Sequence, residues 1–546
     1  MRTFVLALIA LAGCDTPYDP NAPAIDPNAP RVHILSPARG TIAGDVATIT
    51  VTGRANDDSG KIASLDVNGV AAHVDADGTF SVEVPVVPGT NLLQAVATDE
   101  QDNVGKESRA VVAGPMSTLA RDVPDAITAT ISAQTLDAIG QGVTNFVKSD
   151  DLMGVIAPMN PVVDAGGGPD CLYGQASITS MTVGDAAILL SPQSGGIYLS
   201  AQLDNVHVGM HLKWAVSCAD GSRDIVIGAQ RITVQGLLKV GVVGRDFDIK
   251  LVNQNVQITG FDLQLGGIPG EIVDLLKLDT AMGPILGFVL ERFVVPMLNK
   301  SLAGLNETKT IDVLGTLVDV DVKPSQVSFT PAGGLVMLDT ALRAHGDSGD
   351  FVFVPNTLPT MDVSHGFQLA VADDGANQLL TSIWSAKGMD RTFDLQTGSY
   401  GEVGKLYDSV ELAVAVPPFI DASGAGLTLT VGDMVASFKL GEAIVTQVAI
   451  NAQAAVKVVT GADGKLRLDI GQPTTYVDII DEGIEGANPL SNAQFEAIVS
   501  FALGRILAVG SGAVGAIPVP SVGGVAVTNL AIDNAYGYLI VAGEVH

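Results

Sequence analysis

The sequence predicts an α+β fold: a small N-terminal β-sandwich, then two tandem tubular super-rolls in which curved antiparallel sheets wrap long helices. Three observations lead to this prediction. Residues 32–114 alternate like short strands separated by turn residues. Beyond residue 117, long alternating stretches are broken by a few helical patterns, and this order occurs twice. The tetrapeptide TVGD at 182–185 recurs at 430–433, which favours an internal duplication over one large irregular β domain.

The first fourteen residues predict a bacterial lipoprotein signal. Arg2 gives a short positive start, residues 3–11 are largely apolar, and Leu11-Ala12-Gly13-Cys14 matches the lipobox. The apolar run is too short for a permanent transmembrane helix and ends in small residues, as cleaved signals do. We expect residues 1–13 to be removed and Cys14 to be acylated. An ordinary secretory signal with a chance cysteine is the alternative.

Residues 14–31 form a proline-rich spacer. The pentapeptide DPNAP occurs at 19–23 and again at 26–30. Proline at this density favours extended polyproline II, which reaches about 50 Å over this length at about 3.1 Å per residue. We expect the spacer and the sandwich to act as an arm between a membrane and the rest of the chain.

The sandwich is expected over residues 32–114. Strand-like segments such as 47–52 and 79–84 are punctuated by turn pairs such as Asn68-Gly69. The stretch resembles bacterial immunoglobulin-like domains. Carboxylates in its loops would suit calcium, although solvated turn residues are the commoner use of such side chains; they are Asp75, Asp77, Asp99 and Asp102.

The first tubular unit is expected over residues 117–345. Residues 127–132 alternate as a strand, and an apolar stripe at helical spacing follows, made of Leu136, Ile139, Val143, Phe146 and Val147. Further along we expect strands at about 176–266, a helical stretch at about 271–302 and strands to about 343. A polar, glycine-containing joint at 345–349 ends the unit.

The second tubular unit, residues 346–546, repeats this order. Residues 367–371 read as a strand, and a helix follows, marked by Leu379, Leu380, Ile383 and Trp384. A final long helix is marked by Phe495, Val499, Leu503 and Ile506. An apolar helix stripe inside a strongly curved sheet leaves an elongated apolar tube wherever side chains do not fill the space.

Composition supports an apolar interior. Charged residues make up 16% of the chain, against about 25% in typical soluble domains, and 47% of residues are hydrophobic. Such a surplus of apolar side chain, without a long helical membrane span, suits an internal ligand channel. The net charge of −30, with no compensating basic cluster, excludes nucleic acid as a partner.

Residues 117–546, about four-fifths of the chain, resemble the two-domain tubular lipid-binding proteins typified by the bactericidal/permeability-increasing protein. The segments that carry the resemblance are 129–142, 317–342, 367–373 and 517–542. It implies a boomerang of two tubes joined by a central sheet, each with a pocket for phospholipid acyl chains. The cationic tip of the family's endotoxin binders has no counterpart, because this chain lacks the lysines.

Three cysteines fit an exported chain. With Cys14 assigned to lipid, Cys171 and Cys218 remain as a pair, which in an oxidising compartment is more often a disulfide than a metal site. The resemblance implies the same pairing, since the first tube of that family carries a single disulfide. Two free thiols are the alternative.

Signatures of catalysis are sparse. The sequence has no Gly-x-Ser-x-Gly elbow, no His-Glu-x-x-His helix and no phosphate-cradling lysine loop. His207 and His211 are expected on the polar face of a strand, so we assign no metal site to them. We expect no enzyme activity, no cofactor and no metal.

The residues expected to line the tubes follow from the helical stripes. They are Ile139, Val143, Phe146, Ile285, Val289 and Phe293 in the first tube, and Leu379, Ile383, Phe495, Val499 and Leu503 in the second. Closed core packing is the alternative for each of them.

The function expected is that of a lipoprotein, anchored at the bacterial cell envelope, that binds and in the stronger form transfers phospholipid or another acyl lipid. The alternative is a structural or adhesive surface protein whose tubes are filled by side chains. Three locations stay open: the outer membrane, the periplasmic face of the inner membrane and the cell surface.

Overall fold

The computed structural model describes residues 29–58, 61–148, 152–166, 172–263, 266–276, 307–313, 315–396, 403–424, 426–460, 466–481, 490–491, 494–495 and 527–545. Strands dominate these residues and helices are few. The β part of the expected fold is therefore confirmed, whereas the described residues do not show sheets wrapped around long helices.

The N-terminal unit is a β-sandwich, as the alternation predicts. Its strands are β1 (Arg31–Ser36), β2 (Thr41–Gly44), β3 (Thr48–Asn56), β4 (Ile62–Val67), β5 (Val70–Ala72), β6 (Thr79–Pro85), β7 (Gly89–Asp99) and β8 (Val104–Ala113). One sheet has the order β1-β3-β6 and the other the order β2-β8-β7-β4-β5, in which β2 runs parallel to β8. Ile34, Val51 and Leu93 have no exposed surface, so the core between the sheets is closed.

A central sheet joins the two halves of the remaining chain. Its strands are β10 (Val123–Ser132), β17 (Glu307–Val313), β18 (Thr316–Thr330), β19 (Gly333–Ala344), β21 (Phe367–Ala372), β29 (Val527–Ala535) and β30 (Tyr538–Val545). The order is β17-β18-β19-β10-β21-β30-β29, so the first strand of each half lies at the middle, with Thr128 opposite Ala370. Two short strands, β9 (Met116–Thr118) and β20 (Asp350–Val352), pair beside this sheet.

Each half also has an antiparallel meander. The first contains β11 (Val163–Gly166), β12 (Tyr173–Gln193), β13 (Gly196–Val216), β14 (Ala219–Val243), β15 (Asp246–Thr259) and β16 (Asp262–Leu263). The second contains β22 (Arg391–Asp394), β23 (Ser409–Val414), β24 (Phe419–Asp421), β25 (Leu427–Leu440), β26 (Ala443–Thr460), β27 (Leu466–Ile470) and β28 (Thr474–Asp481). The first meander has the longer strands, since β12 to β14 run for 21 to 25 residues.

Helices begin both halves at equivalent places. They are α1 (Ala133–Val147), α2 (Leu152–Ile156), α3 (Gly270–Leu276), α4 (Asp373–Ser385) and α5 (Val403–Leu406), with a 3-10 turn at Ala157–Met159. Helix α1 follows β10 directly and is capped by Ser132, whose Oγ accepts from the Thr135 N–H at 3.2 Å. Helix α4 follows β21 in the same way. No helix within the described ranges is long and apolar enough to cross a membrane.

Strand pairing is interrupted at the glycine of each TVGD copy. Gly184 has no partner between the pairs formed by Val183 and Asp185, and pairing in the second copy skips from Val431 to Met434. A residue with left-handed backbone marks each site: Asn205, opposite Gly184, has φ +53°, and Asp433 has φ +44°. Such irregularities bend and twist long strands. Their occurrence at both copies of the motif supports the duplication.

The sandwich lies on the outer face of the second meander. Strand β8 is buried on both faces from Glu107 onward, because one face closes the sandwich core and the other packs on β25, β26 and β28. The contact is close: a Cβ added to Gly432 would stand 2.3 Å from the Cβ of Ala110. The expectation of a sandwich held out as an arm is therefore wrong for the sandwich itself.

Candidate functional site

The inner face of the first meander is a continuous apolar surface. Alternate residues of β12 to β15 point inward and are almost fully buried, among them Leu199, Val206 and Leu212. Most side chains of this cluster are aliphatic. Helices α1, α2 and α3 pack on the face, through Leu136, Ile156 and Ile272.

Helix α1 lies very close to β12. A Cβ on Gly140 would stand 2.8 Å from the carbonyl oxygen of Ile188, so only glycine permits this approach. Thr144 Oγ1 accepts from the Ile188 N–H at 3.0 Å and donates to the Gly140 carbonyl at 2.8 Å. Strand β11 pairs only with Tyr173–Ala176 of β12. Helix α1 therefore supplies a hydrogen-bond partner to a part of the β12 edge that β11 does not cover.

Three predicted lining residues belong to the first interior. Ile139 and Val143 are 6% and 2% exposed and join the apolar cluster, and Phe146 is half-buried against it. Their role toward lipid stays a prediction. Ile285, Val289 and Phe293 lie outside the described residues, as do Val499 and Leu503 of the second set.

The second meander encloses an aromatic cluster. The rings of Tyr407 and Phe438 have centroids 4.8 Å apart, and those of Phe438 and Phe495 are 5.3 Å apart. Burial raises the pKa of the Tyr407 hydroxyl to about 12. The predicted lining residue Phe495 is 1% exposed in this cluster. Side chains therefore fill the space around Phe438.

Helix α4 buries a polar face. Gln378 Nε2 donates to the carbonyls of Leu119 and Arg121 at 3.1 and 2.7 Å, and its Oε1 accepts from the Leu342 N–H at 2.8 Å. Asn377 exchanges two hydrogen bonds of 2.8 Å with the backbone of Ile420. These side chains supply hydrogen-bond partners to backbone groups near the ends of strands. The buried polar face of the helix is therefore held by hydrogen bonds.

The apolar residues predicted on α4 are arranged differently from the expected stripe. Leu379 is only half-buried. Ile383 is 2% exposed but lies beside Gly388, whose added Cβ would be 2.8 Å from it, and is not part of the cluster around Phe495. The structure thus does not bring the described members of the second predicted set together.

Two adjacent carboxyl groups begin α4. Asp373 Oδ2 accepts from the Ala422 N–H at 2.8 Å, and Asp373 Oδ1 accepts from Asn356 at 2.7 Å. Asp374 is 5% exposed, and burial, with the neighbouring Asp373 charge, raises its pKa to about 7. Asp374 therefore titrates near neutral pH.

A polar network connects the sandwich to the second meander. Arg39 Nη1 donates to Asp433 Oδ1 at 2.5 Å, and Ser108 donates to Asp478 Oδ2 from both its backbone N–H (3.0 Å) and its hydroxyl (2.7 Å). Asn451 donates to Ser108 Oγ at 3.0 Å and accepts from the Asp433 N–H at 2.7 Å. Sequence reasoning missed this network; the recurring TVGD motif, which contains Asp433, was its only signal.

The other polar residues considered in the sequence make local hydrogen bonds or ion pairs. Asp77 Oδ1 accepts from the N–H and hydroxyl of Thr79, and the Asp99 carboxylate accepts from Gln101 and Asn103, so these loop carboxylates close turns. His211 pairs with Asp224 at 2.6 Å. Among the described residues no cluster of His, Cys, Asp or Glu suits a metal ion.

The cysteines lie mostly beyond the described ranges. Cys14 and Cys171 are outside them, and Cys218 occupies the tight turn between β13 and β14 with φ +65°. The disulfide and the lipidation therefore stay predictions.

Comparison with known proteins gives fold-level likenesses. Residues 30–114 match the family model "Glucodextranase, domain B". A lipopolysaccharide binding protein is 15% identical, with 77% of this chain and 98% of that chain covered at a TM-score of 0.35. P47 from Clostridium botulinum A2 is 9% identical, with 78% and 98% covered at a TM-score of 0.27. No curated protein sequence matches the chain. Because these TM-scores are low, function is argued below from the residues of this chain.

Proposed function

We propose that the protein is an exported lipoprotein that binds phospholipid or another acyl lipid at the bacterial envelope. One observation carries the proposal: the inner face of the first meander is a continuous aliphatic surface that runs along strands of 21 to 25 residues. A strand of 21 residues extends about 70 Å at about 3.3 Å per residue.

An acyl chain matches such a surface chemically. Burial of one methylene contributes roughly 0.8 kcal/mol, so ten methylenes contribute about 8 kcal/mol before the costs of binding. The aliphatic side chains around Val143 and Leu199 offer no polar groups that would need a partner. Binding would therefore depend on length and apolarity more than on a specific head-group contact, and we propose no catalytic role and no cofactor.

Anchoring completes the proposal. Cleavage before Cys14 and acylation of its thiol and new amino group would tether the chain, with residues 15–30 as a spacer. Metabolic labelling with an alkyne fatty acid tests this step: the parent should be labelled and Cys14→Ser should not. Labelling of both chains would contradict the anchor.

A second candidate function is structural or adhesive. The observation that favours it is the aromatic cluster of Tyr407, Phe438 and Phe495, which fills space in the second unit. If the first unit were filled in the same way, the molecule would be a rigid surface rod that carries no lipid.

Extraction of bound lipid separates the two candidates. Residues 31–546 would be purified without detergent, extracted with organic solvent and analysed by mass spectrometry. We expect about one or more lipid molecules per protein from the parent. A lipid-free extract from a folded monomer would support the structural candidate.

Added bulk tests the position of the lipid. Val143→Trp should lower the lipid content, because residue 143 faces the first interior, and Ile383→Trp tests the predicted second pocket. Val226→Trp is the matched control, because Val226 is 59% exposed on the outside of the same meander. Equal lipid in Val143→Trp and Val226→Trp would contradict a ligand beside α1.

A further inference from the structure

The contact between sandwich and second meander buries a cluster of charged groups beside its apolar packing. Three carboxylates take part: Glu107, Asp433 and Asp478. None is more than 7% exposed. Two guanidinium groups, Arg39 and Arg109, face them and are 15% and 8% exposed. With every group ionised, the cluster holds one negative charge in excess.

The two arginines are committed to Glu107 and Asp433. Arg109 Nη2 donates to Glu107 Oε1 at 2.9 Å, and Arg39 reaches both Glu107 and Asp433. The third carboxylate, Asp478, accepts only from Ser108 in the network described above. Within the described part of the chain, Asp478 therefore has no ion-pair partner of its own, while the Glu107 charge lies near it.

Among the described residues, the charged groups of the contact around Asp478 come from the sandwich and from β25. From the sandwich these are Glu107, Arg39 and Arg109, with His33 on the solvent side of Glu107 at 3.2 Å; from β25 it is Asp433. Strand β26 contributes the neutral Asn451. Burial raises the pKa of Asp478 to about 6, and the Glu107 charge acts in the same direction while Arg39 opposes it.

The duplicate of this site shows that the docking contact is specific to one copy. Asp185, which ends the first TVGD, is exposed and pairs with Lys148 at 2.6 Å, whereas Asp433 is fully buried beneath the sandwich. Gly184 is likewise exposed, whereas Gly432 touches Ala110.

We propose that the sandwich is a releasable clamp on the second meander, fastened in mildly acidic solution and loosened as Asp478 ionises. The sign follows from linkage. Asp478 binds its proton more tightly when docked than when exposed, so docking is favoured below its docked pKa and weakens as pH rises through about 6. Between pH 5 and pH 8 the docking constant should fall about tenfold.

A natural fluorophore reports the contact. Trp384 lines a groove with Ile42, Thr90 and Val112 of the sandwich, and release of the sandwich would expose its ring to solvent. The chain has two tryptophans, so Trp214→Phe leaves Trp384 as the only one. Acrylamide quenching of Trp384 in the full chain would be measured along a urea series below global unfolding, at pH values from 5 to 8.

In the Trp214→Phe chain we expect a release transition before global unfolding, with a midpoint that falls as pH rises. Asp478→Asn keeps the hydrogen-bond acceptor without the charge and should weaken the dependence of the midpoint on pH; the remainder comes from Asp433, whose pKa burial also raises. Asp469→Asn, an exposed carboxylate of the same meander, is the matched control and should keep the parent's pH dependence. Gly432→Ala should be released at every pH, because its Cβ collides with Ala110, and it defines the released signal.

Three outcomes would overturn the clamp. They are a release midpoint independent of pH in the Trp214→Phe chain, an unchanged pH dependence in Asp478→Asn, and quenching of Trp384 that rises only with global unfolding. Far-UV circular dichroism at each pH distinguishes release from loss of fold.

Discussion

Helices α1 and α4 occupy equivalent positions in the two halves but bury opposite kinds of side chain. Helix α1 buries Leu136, Ile139 and Val143 in an aliphatic cluster. Helix α4 buries Asp374, Gln378 and Ser382, and Ser382 Oγ accepts from the Ala344 N–H. The two halves thus share a topology here, while the helix serves apolar packing in the first half and hydrogen bonding to strand ends in the second.

The same divergence separates the two interiors. The first is mainly aliphatic and extended along strands of 21 to 25 residues. The second is shorter and contains the Phe438 aromatic cluster. We infer that a ligand channel, if lipid is bound, is better developed in the first half.

The largest expected difference between the helices comes from a buried charge. Val143→Asp should lower the free energy of unfolding by about 3–5 kcal/mol, because the carboxylate would lie unpaired in the aliphatic cluster. Leu379→Asp on half-buried α4 should cost about 1 kcal/mol. Urea unfolding followed by circular dichroism measures both, and equal losses would contradict the comparison.

Truncation of rings compares the two interiors. Phe438→Ala should cost about 3–5 kcal/mol, since the ring is 8% exposed and contacts two other rings. Phe146→Ala, at a half-buried ring of the first interior, should cost about 1–2 kcal/mol. Thermal unfolding gives the ranking, and a larger effect at Phe146 would show that the first interior is the more tightly closed.

Removal of one amide side chain sharpens the contrast between polar and apolar anchoring. Gln378→Leu leaves two carbonyls and one N–H without their partner, which should cost about 2–3 kcal/mol. Gln141→Leu makes the same change on the exposed face of α1 and should stay within about 0.5 kcal/mol. Comparable losses would mean that the hydrogen bonds of Gln378 contribute little.

The smallest effect is a pH dependence confined to α4. Asp374 has a pKa raised to about 7, so the stability it contributes is full below its unfolded pKa and is lost as pH rises through 7. Between pH 6 and pH 8 the chain should lose about 1 kcal/mol through Asp374, and Asp374→Asn should remove that part of the slope. Urea midpoints at three pH values measure it, and a slope that persists unchanged in the variant would assign the titration elsewhere.

Hydrophobic periodicity was sufficient to predict an element and its buried face wherever one face of that element is apolar. It placed β10, α1 and the inward residues of β13, because each alternates or repeats at the spacing of its own secondary structure. It misplaced the buried face of α4, where Leu379 and Leu380 mimic a core stripe while Gln378 and Ser382 are buried. Which face turns inward there depends on strand ends distant in sequence, and periodicity carries no information about them.

The packing of the sandwich on the second meander could not be predicted from the sequence either. Glu107, Ser108 and Arg109 are polar or charged residues of β8, and all three are less than 10% exposed. Ser108 bonds to Asp478, 370 positions away, and Arg39, which pairs with Glu107, also reaches Asp433. Only the assembled structure brings these groups together.

Pairing of β10 with β21 makes the two halves inseparable. Each half contributes its opening strand to the middle of one sheet, so a cut in the joint at 345–349 would still leave the halves paired edge to edge. Expressed apart, each half would present a bare strand edge able to recruit another chain. The molecule is thus suited to fragment complementation, in which two co-expressed pieces restore one another.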